Sequence, residues 1–317
     1  MSQLKSLCSG STVTRFAGSL TFLAALGLAG IASASEVTVK NMYAASVPFG
    51  GYATPPRQTA ATGVVSQTAA IEAFGSGGRS VASAGLGALQ SSSTASANGN
   101  FSNPNEFAQG QARADAVWYD LVTLNGAGLS GTGTANARIF VQPPAGGMTN
   151  SGVAAVGGDF RASAYAGFGV RVGGNLLKFD TQVETTQGGI DPLYTYTRVN
   201  DLNFAGALGG FWDISFPVTF GQAFGTEGFM ITLAMTRAGG NATTQSFANG
   251  YSIYWGGITS ITLANGATTT AFSALGDTGH NWALSAVPEP ATWLYMALGL
   301  AACAFMRRRS VMKGRAG

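Results

Sequence analysis

The residues able to do chemistry are few and scattered. The chain has one histidine, His280, in the run Gly276-Asp277-Thr278-Gly279-His280-Asn281-Trp282. A Ser-His-Asp relay needs a carboxylate to orient the imidazole and a serine placed to lose its proton. Asp277 lies three residues away in a glycine-rich stretch and no Gly-x-Ser-x-Gly elbow accompanies it, so His280 reads as part of a surface turn. Catalytic zinc asks for two or more His or Cys ligands. The cysteines, Cys8 and Cys303, stand near the two ends, so the sequence implies no metal and no cofactor. A glycosidase needs only two carboxylates. Glu106, Asp115, Asp120, Asp159, Glu184, Asp191 and Glu227 keep a carboxylate-based hydrolase open as the lesser alternative, although most sit at strand edges or turns, where acids are solvated. Asn200-Asp201-Leu202-Asn203 clusters oxygens without the EF-hand ligand order and reads as an Asx turn. Tyr194, Tyr196, Tyr251, Tyr254 and Trp255 could stack on sugar faces, which makes a carbohydrate-binding module the main alternative; core packing accounts for them equally well. The first expectation is a protein without enzymatic activity.

The elements that must hold these residues are strands. From Phe160 to Val172, Phe160, Ala162, Ala164, Ala166, Phe168, Val170 and Val172 fall on one face, while Arg161, Ser163, Tyr165 and Arg171 fall on the other. Period two is the mark of a half-buried strand. Gly173-Gly174-Asn175 then reads as a hairpin turn, after which Leu177, Phe179, Thr181 and Val183 alternate with Lys178, Asp180, Gln182 and Glu184. Trp212 to Phe220 and Phe229 to Met235 repeat the pattern, and 112–124, 137–142, 194–199 and 251–263 are further candidates. The expected fold is all-β, an antiparallel β-sandwich of jelly-roll type over residues 106–286. Inner-face Ala and Gly would let the sheets approach closely, and Trp118, Trp212 and Trp255 would fill the wider places. Residues 35–105, rich in Ala, Ser, Gly and Thr, read as loosely ordered strands and loops, with a short, weak helix possible at 68–74.

Charge separates the ends from the middle. The formal net charge is +3. Between Ser35 and Ala286, however, 10 Lys/Arg face 13 Asp/Glu, and the cations stand singly. A nucleic-acid partner would need a basic stripe, so none is expected. Residues 1–34 begin with Lys5 and Arg15, continue through an apolar run from Phe16 to Gly30, and close on Ala32-Ser33-Ala34. This is the pattern of a signal-peptide helix, with signal peptidase cutting between Ala34 and Ser35. At the other end Val287-Pro288-Glu289-Pro290 precedes an apolar run at 291–306 and then Arg307-Arg308-Arg309 within a basic tail, 307–317. The prolines hold the motif extended, the apolar run is long enough with its flanks to form a single transmembrane helix, and the arginines favour a cytoplasmic end.

That C-terminal set, over residues 287–317, closely resembles the PEP-CTERM sorting signal. The resemblance implies recognition by an exosortase, an integral-membrane cysteine protease or transpeptidase, with Val287, Pro288, Glu289 and Pro290 as the recognition residues. It also implies transient anchoring by the 291–306 helix, removal of helix and tail, and arrival at the surface or outside of a Gram-negative bacterium that makes exopolysaccharide and biofilm. The expected partners are therefore signal peptidase, exosortase and, after export, exopolysaccharide. The expected role is structural or adhesive.

Overall fold

The computed structural model describes residues 36–46, 51–53, 58–60, 63–73, 76–101, 106–143, 147–188, 193–202 and 209–286. The sequence readings at 1–34 and 287–317, including Ala32, Ala34, Val287 to Pro290, the apolar helix and Arg307 to Arg309, lie outside the described residues, as does Ser35. The strands run β1 (Glu36–Ser46), β2 (Gly51–Ala53), β3 (Gln58–Ala60), β4 (Val65–Ala73), β5 (Ser76–Gly85) and β6 (Ala88–Asn98). They continue with β7 (Phe107–Asn125), β8 (Thr132–Gln142), β9 (Met148–Ala154), β10 (Asp159–Val172), β11 (Asn175–Gly188) and β12 (Tyr194–Leu202). The last are β13 (Gly210–Thr219), β14 (Ala223–Gly239), β15 (Ala242–Leu263), β16 (Thr268–Thr269) and β17 (Ser273–Gly276). No helix occurs among the described residues, and none there is long and apolar enough to cross a membrane.

These strands form two antiparallel sheets. The first runs β12-β11-β10-β14-β7-β1-β2, with β17 added to β7 and β3 to β1. The second runs β13-β8-β15-β6-β5-β4, with β9 and β16 added to β15. The chain crosses repeatedly between sheets: β7 pairs with β14 in the first, and their successors β8 and β15 pair in the second. The fold is all-β and antiparallel, as the alternating sequence predicts. In β10 all seven residues expected on the inner face, Phe160 to Val172, are buried. The hairpin after it turns where expected, with Gly173 and Gly174 at φ of 54° and 89° and Val172 paired to Asn175. Positive φ at two successive residues is what a tight hairpin turn requires and what glycine supplies without a steric cost.

The core has two regimes. Trp118, Trp212, Trp255, Phe168, Phe216 and Ile253 fill one part. Elsewhere the buried clusters are almost entirely alanine, with Ala95, Ala164, Ala234 and Ala248 forming one of them. There the sheets come so near that a Cβ on Gly110 would strike the backbone carbonyls of Ser96 and Gly77 opposite. Two polar contacts in this thin zone span the gap: Ser93 Oγ lies 2.9 Å from Thr232 Oγ1, and Ser246 Oγ donates to the Ser163 carbonyl at 2.8 Å. Such pairing offsets the cost of taking a hydroxyl out of water.

Two local readings are corrected. Residues 68–73 are not helical: they lie in β4, which pairs residue for residue with β5 from Val65↔Ala84 to Ala73↔Ser76. Asn200, Asp201 and Leu202 are not an Asx turn but the end of β12, opposite Asp180, Phe179 and Lys178 of β11. In both places an edge supplied by a neighbouring strand outweighs a weak local preference. Residues 36–98 contribute six strands to the same two sheets, and β1 alone pairs with β7 over eleven positions.

Candidate functional site

The strongest convergence of polar and aromatic groups lies where the chain makes its last passes. β17 pairs with the end of β7, from Ser273↔Asn125 to Gly276↔Val122. The chain then turns: the Gly276 amide donates to the His280 carbonyl and the Gly279 amide to the Gly276 carbonyl, both at 2.9 Å. Gly279 has φ 79°. This turn delivers Trp282 into the core, where no part of it is exposed. Its indole N–H donates to Asp120 Oδ2 at 2.8 Å, its amide donates to the Ala274 carbonyl at 2.8 Å, and its carbonyl accepts from Trp255 Nε1 at 2.7 Å and from the Ile258 amide at 3.1 Å. Its ring centroid lies 5.0 Å from that of Trp118 and 5.4 Å from that of Trp255. Thr278 Oγ1 also donates to Asp120 Oδ2, at 2.8 Å. Gly276 has no room for a side chain, since a Cβ would overlap that same carboxylate oxygen. The last described residue, Ala286, donates its amide to the Trp255 carbonyl at 2.7 Å.

His280 stands beside this cluster, its ring 4.8 Å from that of Trp282. Burial pushes its pKa below the ordinary 6.5, with the Asp120 charge opposing more weakly. Desolvation thus favours the neutral imidazole. Asp277, the acid adjacent in sequence, sends its backbone amide to the Leu121 carbonyl. Through Asp120, which accepts from both Trp282 and Thr278, the cluster ties this last stretch of chain to β7.

The other acids singled out by sequence do not converge. Asp115 pairs with Arg113 at 2.9 Å, Glu184 with Arg161 at 2.9 Å, and Glu227 with Arg171 at 3.3 Å. Burial raises the Glu227 pKa above its usual 4.5, and Arg171 lowers it by less. Glu106 and Asp159 are exposed at the starts of strands, and Asp191 lies outside the described residues. A concavity of about 590 Å³ beside Asn125, Leu129 and Phe272 is lined by no carboxylate. A second, of about 390 Å³ beside Arg79 and Phe247, holds Glu72 alone. Among the described residues no group of three or more His, Cys, Asp or Glu could hold a metal ion.

The five aromatics divide three ways. Tyr251 and Trp255 are core residues, and the Tyr251 hydroxyl lies 3.2 Å from Thr181 Oγ1. Tyr194 and Tyr196 are exposed on β12, at the edge of the first sheet. Only Tyr254 faces outward from the second sheet, where Phe140 and Phe211 join it; neither was singled out by sequence. Their sign was an aromatic out of phase with the buried residues of its strand: Phe140 lies between Ile139 and Val141, and Phe211 precedes Trp212.

The C-terminal segment is assigned by comparison with known families. Residues 286–310 match the PEP-CTERM protein-sorting motif. No curated protein matches the chain. The PEP-CTERM motif directs an exported chain to the cell surface through an exosortase, so the chain is an exosortase-targeted, exported protein. The matched span contains Val287 to Pro290 and Arg307 to Arg309. It opens on Ala286, the residue whose amide is tied to Trp255. The matched span therefore begins at the last described tie to the sheets.

Proposed function

We propose that this chain is a structural or adhesive protein of the surface or extracellular matrix of a Gram-negative bacterium. Its two sheets form a jelly-roll-like β-sandwich without enzymatic activity. A signal peptide ending at Ala34 takes it across the inner membrane, and the 291–306 helix holds it there while Arg307, Arg308 and Arg309 stay cytoplasmic. Exosortase recognises Val287, Pro288, Glu289 and Pro290 and removes helix and tail. The mature protein then joins the exopolysaccharide of a biofilm. The observation that carries this reading is the PEP-CTERM motif at 286–310, beginning on the last residue tied to the sheets. The scarcity of charge supports it: charged residues are 10% of the chain against about 25% in an average soluble domain, so the surface rests on hydroxyls, amides and backbone.

Mature termini test the proposal. Mass spectrometry of the protein from membrane, cell-surface and medium fractions is expected to find a start at Ser35 and a C-terminus near Pro290 outside the membrane fraction. Retention of Trp293 to Gly317 in every fraction would make the chain a plain single-span anchor and end the exosortase reading.

A further inference from the structure

The outer face of the second sheet carries three rows of side chains that cross its strands. In the first row Phe211 of β13, Phe140 of β8 and Tyr254 of β15 stand in register on adjacent strands. Their neighbours Trp212, Ile139 and Ile253 are buried beneath, so alternation sends the three rings outward. Ring centroids are 5.2 Å apart from Phe211 to Phe140 and 6.4 Å apart from Phe140 to Tyr254. Phe211 is 50% exposed. Gln90 ends the row on β6, its amide nitrogen donating to the Tyr254 hydroxyl at 2.8 Å. In the second row Arg138 binds Asp213 at 2.9 Å and places its guanidinium carbon 5.9 Å from the Phe211 ring centroid. In the third, Ser215 donates to Asn136 Oδ1 at 2.7 Å and Asn136 Nδ2 donates to Ser260 Oγ at 3.1 Å.

We infer that this face binds a neutral polysaccharide, one strand of which lies along the Phe211–Phe140–Tyr254 row. A sugar ring offers an apolar face of C–H groups, which bear slight positive charge, and an edge of hydroxyls. Aromatic faces are negative and suit the first. The amides and hydroxyls of Gln90, Asn136, Ser215 and Ser260 suit the second. Within the three rows the charges of Arg138 and Asp213 neutralise each other, and Arg79 and Glu72, farther along the same face, add one charge of each sign, so the surface selects for no charge, which speaks against nucleic acid and against an acidic polymer. A protein partner is the poorer fit: stable interfaces cover about 800 Å² per side around a contiguous apolar centre, whereas these rings stand in single file beside polar rows. The inference deepens the matrix-protein reading by naming what the domain grips, and its test does not depend on sorting.

The experiment is native gel electrophoresis of the full chain in mild detergent, with hydroxyethyl cellulose, galactomannan or laminarin cast in the gel as the probe. The wild-type chain is expected to be retarded by at least one. Phe211→Ala and Tyr254→Ala are each expected to weaken that retardation about tenfold, as loss of a central aromatic contact does. Phe211→Leu keeps the bulk without the ring face and is expected to weaken it equally. Phe247→Ala, an exposed aromatic outside the row, is expected to change nothing, and thermal melts of every variant establish that it is folded. Unretarded wild type in all three gels overturns the inference, as does retardation of the folded row variants equal to wild type. A chain that binds but keeps its C-terminal residues would defeat the sorting proposal and leave this one standing.

Discussion

A carboxylate shut off from water survives in the folded state only where donors meet its charge. Asp120, with no exposure, accepts from Trp282 Nε1, Thr278 Oγ1 and the Leu121 amide. Asp120→Ala strands the Trp282 N–H, and an unpaired buried group costs about 1–3 kcal/mol. Trp282→Ala removes the ring from between Trp118 and Trp255 and is expected to cost about 3–5 kcal/mol. Urea denaturation of both variants measures these losses, and unchanged midpoints would mean that the cluster does not hold the C-terminal segment. His280 gives a pH signature. Its pKa is lowered on folding, so the unfolded chain takes the proton first. Its contribution is constant well above pH 6.5 and is lost as pH falls from there through the folded value. Glu227, raised by burial, acts in the opposite sense at lower pH, so the comparison is with His280→Gln: the fall in Tm between pH 7.5 and pH 5.5 is expected to be smaller in that variant. Sequence could flag His280 but not its setting, because the partner of its neighbour Trp282 lies 162 positions away. Adjacency pointed to Asp277, and only the fold brings Asp120 there.

At the scale of elements, what could be read was whatever local alternation encodes. The β10–β11 hairpin was legible because seven inner positions and a Gly-Gly turn agree on one register. Gly174 has φ 89° and open space around it, so Gly174→Ala meets only backbone strain and is expected to cost about 1–2 kcal/mol in a thermal melt. Gly110→Ala is expected to cost more: its φ is ordinary, but the added methyl meets two carbonyls of the facing sheet, and neither sheet can retreat without breaking the Ser93–Thr232 contact. If Gly110→Ala melts with the wild type, the close approach of the sheets is not a constraint. β4 resisted reading because its alanines and single Glu72 fit a weak helix as well as a strand, and only the nine-residue edge of β5 decides between them. The outward row on β13, β8 and β15 was missed for a related reason. Each strand was read for what it buries, while lateral alignment of Phe211, Phe140 and Tyr254 follows from pairings between residues up to 114 positions apart, which no single strand contains.

For the whole molecule, the order of events in export turns on where the sheets let go of the chain. β17, Trp282 and Ala286 are tied to β7 and β15, and the PEP-CTERM motif starts at that last tie. A cut after Pro290 therefore breaks none of these bonds, whereas loss of the segment from Ser273 onward removes a strand, the indole between two other tryptophans and both side-chain donors to Asp120. Two truncations separate these cases. A chain ending at Pro290 is expected to melt at the temperature of the full chain. A chain ending at Phe272 is expected to lose more than Trp282→Ala alone, because the exposed ends of β7 and the vacated core go unpaired together. The same contrast should appear in processing, since Trp282, packed against Trp118 and Trp255, is the core residue that lies just ahead of the motif in the chain. Trp282→Ala, compared with wild type by the rate at which the C-terminal peptide is released, is then expected to leave the motif on a loosened end and to be cut faster. Equal release rates in the two proteins would show that the exosortase acts without regard to the tie, and that the clasp serves stability alone.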